Sequence, residues 1–408
     1  MNSLGYIHSM KNIHDTNNPP DFSLVLGGPL FQLFLRLGLT TVNLDLLKKR
    51  IIYITLFAWL PLFFFSFVEG TAFGNVGVPF LYDMEVQARF LAALPLFIAA
   101  EYLVHKQLRV LVGQFIDRGI ITEKVLPCFR ELIASAMKLR NSVIFELILL
   151  LLVFVGGHYL SGMVSVVEAM ASHTGSWYEA SDTAEKHLSM AGYWYFFVSR
   201  PLFQFIAYRW YFRIFIWARF LWQTSRLDLN LIPTHPDRAC GLGFLSMNSV
   251  LFSPLIMAHG VLFAGLIANS IFFTGAKFTD FMILILGVIV VVQFIVLGPL
   301  TVFTPSLMRA KRMGLRDYGV LASWYVGEFD RKWVRGGVAH ERLIGSSDIQ
   351  SLADLANSFQ VIRDIRSFPF DKDTVIQVAL FALIPILPLV LTMIPLEELI
   401  KRFFEAIF

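Results

Sequence analysis

Charge is sparse along this chain. Asp, Glu, Lys and Arg together make up 16% of its 408 residues, against roughly a quarter in soluble domains. An ordinary solvated globular surface is therefore excluded, and no separate soluble domain of the usual size fits beside the apolar part. Cysteine is scarcer still. Cys128 and Cys240 are the only two, and both fall in segments expected to face the cytoplasm, so no disulfide framework is implied. His-Glu-x-x-His, Gly-x-Ser-x-Gly and Walker loops are missing, which leaves no recognised catalytic constellation. No internal repeat is visible, so the inverted-repeat signature of many transporters is missing too. The polar lead 1–21 has no apolar core and reads as a disordered lead-in, not a cleavable signal peptide. The net charge of +4 follows from where the basic residues gather, and no nucleic acid is expected as a partner.

Apolar residues are abundant. They make up 56% of the chain, which holds 40 phenylalanines and has a mean hydropathy of +0.64. The expectation is an all-α polytopic membrane protein with about seven transmembrane helices. The apolar runs fall at 51–68, 88–104, 143–164, 192–218, 246–273, 281–303 and 375–396. Placing the N-terminus in the cytoplasm puts 26 of the 34 Lys and Arg inside and 4 outside, so the positive-inside rule favours that orientation. Aromatics near the outer edge (Trp177, Tyr178, Tyr193, Trp194 and Tyr195) fit an interfacial belt. In the last run Pro385, Pro388 and Pro395 interrupt helical hydrogen bonding and predict a kinked or re-entrant segment at 374–408.

Two other segments have their own character. Residues 22–50 begin with an apolar stretch interrupted by Gly27, Gly28 and Pro29, and predict an interfacial or re-entrant helix before the helices of 51–303. Residues 304–373 predict cytoplasmic amphipathic helices. One carries Tyr318, Leu321, Tyr325 and Phe329 on a stripe. After the Gly336-Gly337 break, Ser347 and Gln350 read as a capping box. The next stripe holds Ile349, Leu352, Ala356, Phe359 and Ile362. Such faces need a cover: the bundle, the membrane surface, a cytoplasmic partner or another subunit.

The candidate site lies in the fourth run. Arg200, Gln204, Arg209 and Arg213 sit in a segment long enough to cross a bilayer, and a cation at that depth needs a counter-charge, water or lipid phosphate. Arg209 and Arg213 share a helical face, and Arg219 marks the cytoplasmic interface. These residues predict a pore lining or an anion- or lipid-binding site. The alternative is structural pairing with Glu101 and Glu146, the intramembrane acids of the second and third runs. His158 and His259 are also intramembrane and read as packed, hydrogen-bonded residues instead of metal ligands. In the cytoplasmic turn, His235 and Asp237 precede Gly241-Leu242-Gly243. The reading is a tight turn with Asp237 capping the fifth span. A gate or metal site completed by His340 or Glu341 is the sharper alternative. Neither a J-domain tripeptide nor a phosphate loop fits the context. Glu397-Glu398 and Arg402 match a string of CAAX-type membrane proteases, but the further histidine motifs do not follow, and a terminal amphipathic helix is the reading.

FLYDMEVQARFLAALPL (80–96), HPDRACGLGFL (235–245), GSSDIQSLADLANSF (345–359) and PLVLTMIPLEEL (388–399) together resemble a group of bacterial multi-pass membrane proteins of about this length. The resemblance implies a bacterial inner-membrane location and brings no activity or site residues. The functional expectation is a channel or transporter for a small, in particular anionic, solute. The alternatives are a scaffold docking through 304–373 and, third, a membrane enzyme. No metal and no cofactor are expected beyond bound lipid. A homo-oligomer is expected.

Overall fold

The computed structural model describes residues 22–38, 46–156, 175–179, 187–336 and 347–393. Over these residues the chain is helical, and the isolated bridges Val78–Ser176 and Glu179–Leu188 are its extended pairings. The expected all-α polytopic architecture is what forms. The helices are α1 (Pro29–Arg36), α2 (Leu47–Val68), α3 (Met84–Asp117), α4 (Leu126–Arg140), α5 (Val143–Gly156), α6 (190–224), α7 (Ser253–Thr274), α8 (Phe278–Val334), α9 (Ser347–Arg363) and α10 (Lys372–Leu383). A 3-10 turn, Leu387–Met393, follows α10.

Four of these are long and apolar enough to cross a membrane: α2, α3, α7 and α8. Two bent pairs raise the number to six, α4 with α5 at 44° and α10 with its 3-10 turn at 61°. The sharper bend falls where Pro385 and Pro388 cannot donate to the helical ladder; Pro395 lies outside the described residues. The arginine-bearing run becomes α6, which is long enough to span but is not among the helices apolar enough to cross.

The helix α2 shows why these are membrane helices. It buries Ile54, Ala58, Leu62 and Ser66 at four-residue spacing, while Phe57, Leu60, Phe64 and Phe67 stand exposed on its other side. A helix that is apolar all round, yet packed on only one face, has lipid as its second solvent. Ala58 allows close approach, and Ser199 of α6 donates from Oγ to the Ala58 carbonyl at 2.6 Å, a small-residue contact of the kind that holds membrane helices together.

Three boundaries differ from the sequence expectation. The fifth span starts at Ser253, since Pro254 sits in the first turn of α7, where it needs no donor. Residues 242–251 before it fold as short turns. The sixth span and the amphipathic stretch after it form one 57-residue helix, α8, about 85 Å long at 1.5 Å per residue. Hydropathy drops near Thr304, where a 3-10 stretch, Gly298–Phe303, tightens the helix without ending it. Residues 22–28 also enter the bundle further than an interfacial segment would. Phe22 is fully buried and packs on Trp217 and Phe220 of α6. The short α1 and the residue that caps it then leave Leu33, Leu35 and Leu37 exposed.

Candidate functional site

The buried charges meet at one level of the bundle. Glu101 of α3 bridges two arginines: Arg213 of α6 at 2.7 Å and Arg50 of α2 at 3.0 Å. Glu146 of α5 faces Arg209 of α6 at 3.4 Å. All five side chains are buried. The contact to Arg50 lacks hydrogen-bond alignment, so charge and not a directed bond holds that guanidinium. Arg213 also lies over the Trp210 ring at 4.7 Å, and Trp210 Nε1 donates to the Phe97 carbonyl at 3.0 Å. Stacking and pairing together fix the guanidinium plane.

Arg50 sets the depth of this cluster. It lies in the first turn of α2, whose 22 residues span about 33 Å, close to a hydrocarbon core of about 30 Å. The cluster therefore sits at one face of the apolar slab and not at its middle. That lowers the penalty expected for guanidinium groups at bilayer depth.

The N-terminal segment closes over the cluster. The Leu30 N–H, at the start of α1, donates to Glu146 Oε2 at 3.1 Å, so one carboxylate serves both an arginine and a helix N-terminus. Gly28 allows this approach. Its φ is +85°, and a Cβ there would lie 2.7 Å from Glu146 Oε1. Ser23 is tied to His105 Nδ1 at 2.8 Å, and Arg140 donates to the Ser23 carbonyl.

The structure thus brings Arg209, Arg213, Glu101 and Glu146 together, as pairing requires, and adds Arg50, which sequence reasoning had counted as a flanking cytoplasmic charge. Arg200 and Gln204 lie elsewhere on α6. Arg200 is half-buried over the Phe196 ring at 5.7 Å, and Gln204 is half-buried on the same helix. His259 is packed, as expected. Its Nδ1 donates to the Leu255 carbonyl at 2.7 Å, and Nε2 accepts from the Tyr211 hydroxyl at 2.6 Å. His158 lies outside the described residues, as do His340 and Glu341.

A second polar cluster went unread in the sequence. Asp83, at the start of α3, accepts from Trp177 Nε1 at 2.9 Å and from Asn269 Nδ2 and the Val86 N–H, both at 3.2 Å. Arg89 joins Glu85 and Tyr195 close by. The one available signal was Arg89 itself, a cation in an apolar run. Its partners come from loops and distant helices that spacing does not link.

The turn 233–243 is a structural nest. Asp237 accepts from the N–H groups of Ala239 (2.8 Å), Gly241 (3.1 Å) and Gly243 (2.8 Å), with His235 Nδ1 at 2.9 Å. Burial disfavours its charge, but those donors and His235 outweigh burial and hold the carboxyl below its ordinary range. Asp237 therefore organises the turn before residues 242–251 and does not cap α7. Burial, with Asp237 alongside, pushes the Cys240 thiol up to about 12. Among the described residues no group of His, Cys, Asp and Glu could hold a metal ion.

This turn is also the seat for a helical arm. Gly314 of α8 packs where a Cβ would meet Pro233 at 2.6 Å. Arg366 donates from Nη2 to the Asp237 carbonyl at 2.7 Å, and its N–H donates to the Arg238 carbonyl at 2.9 Å. Beyond the seat, α8 and α9 pack on each other. Asp348 ties the tip through Lys332 Nζ at 2.9 Å and Trp333 Nε1 at 3.0 Å. The capping box does not form as expected, because Gln350 turns forward to Asp354. Of residues 304–329 only Leu307 and Gly314 are buried, and Val320, Trp324 and Val326 stand exposed.

No protein-family model matches the chain, and comparisons with curated proteins and with solved structures also found no match. The site is read from its own geometry.

Proposed function

We propose that this membrane protein is a docking subunit of the bacterial inner membrane, with its N-terminus in the cytoplasm, that holds the α8–α9 arm out to a cytoplasmic partner. One observation carries the reading. The arm is anchored at its base by Gly314 and Arg366, yet Val320 and Trp324, one turn apart on its outer side, have no cover among the described residues. Exposed apolar stripes on an ordered helix mark protein contacts. Val320→Glu with Trp324→Glu is expected to abolish cross-linking of a partner at the arm, in membranes, while α-helical content is unchanged. Equal cross-linking in parent and variant would reject the reading. A partner that proves to be a second copy would make the protein the homo-oligomer expected from its sequence, and light scattering in detergent reports that directly.

A second reading is transport of a small anion. It is favoured by the excess of three guanidinium groups over two carboxylates in the buried cluster. Passage would require the Arg209–Glu146 and Arg213–Glu101 pairs to part. Chloride flux in proteoliposomes that falls in Arg209→Gln would support it. A parent protein that carries no flux would end it.

A further inference from the structure

The 44° bend between α4 and α5 opens a groove of about 770 Å³ against α6. Lys138, Ser142 and Phe145 line one wall, and Phe215 and Arg219 line the other. We infer that this groove holds the phosphate headgroup of an anionic lipid.

Three observations converge. The first is charge. Neither Lys138 nor Arg219 has an ion pair among the described residues. Arg219 is instead steadied by Ser135, with both terminal nitrogens 3.2–3.3 Å from its Oγ. That leaves two cations facing one space. A guanidinium beside an ammonium suits a phosphate diester, which takes a fork and a point charge together.

The second is depth. Arg219 lies six residues beyond Arg213 on α6, about 9 Å further from the slab. Arg213 belongs to the cluster level with the first turn of α2, at the slab face. The groove therefore falls where headgroups lie and polybasic sites meet them.

The third is the wall. Phe215 is exposed, and Phe145 stacks on Phe212 at 4.7 Å. Below them Val143, Ile144 and Leu147 are exposed along α5, a continuous path for an acyl chain. A free phosphate would have no use for such a path, so the lipid is the occupant argued for.

The test uses the full chain in vesicles of phosphatidylglycerol and phosphatidylcholine, extracted gently and examined by native mass spectrometry. The parent is expected to retain phosphatidylglycerol preferentially. Lys138→Gln with Arg219→Gln is expected to lose about tenfold of that preference. Lys124→Gln with Arg130→Gln, which removes the same charge from exposed positions outside the groove, is expected to keep it. Equal retention in both double variants would overturn the proposal. So would displacement of the retained lipid by millimolar inorganic phosphate, which would identify a free-anion site. Should the first double variant misfold, Lys138→Glu alone, at an exposed side chain, tests the same point, and unchanged preference there also overturns it.

Discussion

Glu101 is the most consequential single side chain here, because two arginines depend on it. Removing one partner of a buried pair strands the other charge, typically at about 3–5 kcal/mol. Glu101→Gln is therefore expected to destabilise the protein by several kcal/mol, read as a loss of thermal stability in detergent. A cycle through Glu146→Leu and Arg209→Met tests the neighbouring pair. The double variant should lose less than the two single losses summed, since two apolar groups leave no stranded charge. Asp237 gives a pH prediction. Its folded pKa lies below the unfolded value near 3.9, so its contribution is fully present above that value and fades as pH falls through the folded pKa. Asp237→Asn should thus lower stability at neutral pH and flatten its decline below about pH 4, as acid denaturation curves would show. At this scale much was legible. Cations in apolar runs need partners, and Arg209 and Arg213 met Glu146 and Glu101, the intramembrane acids read from the third and second runs. Arg50 was not legible, because a basic residue at a helix start resembles an ordinary interfacial anchor.

At the level of elements, the arm owes its form to a few tip contacts. Asp348 receives Lys332 and Trp333, and its carbonyl accepts from the Tyr325 hydroxyl at 3.1 Å. These are surface contacts, which solvent screens and side-chain entropy weakens. Asp348→Ala should speed amide exchange at the end of α8 and the start of α9 and leave the rest of the bundle protected. Exchange that rises throughout the chain would show the arm to be integral to the core. Six of the seven apolar runs overlap the four long apolar helices and the two bent pairs, since length and hydropathy are local properties. The continuity of α8 through its 3-10 stretch was hidden because a change of solvent reads as a boundary, while the helix itself continues. Re-entry of 22–28 was one of the two readings the sequence allowed, but its anchor was not legible, because it rests on Gly28 meeting Glu146, residues far apart in sequence.

For the whole molecule, topology decides which side every site serves. Trp324→Cys on the arm is expected to react with a membrane-impermeant maleimide in inside-out vesicles and to stay unlabelled in intact cells. The reverse pattern would invert the assignment derived from the basic residues. Cys128 is exposed and serves as an internal comparison, whereas Cys240 is buried with a depressed acidity and should stay silent until the chain unfolds.

The length of α8 has a mechanical corollary. Its inner half is set in lipid, it rests on Pro233 at Gly314, and some twenty residues overhang that fulcrum, about 30 Å of lever. A ten-degree rocking of the embedded half would swing the free end by about 5 Å, so a change in bilayer thickness or tension would arrive at Trp324 as displacement.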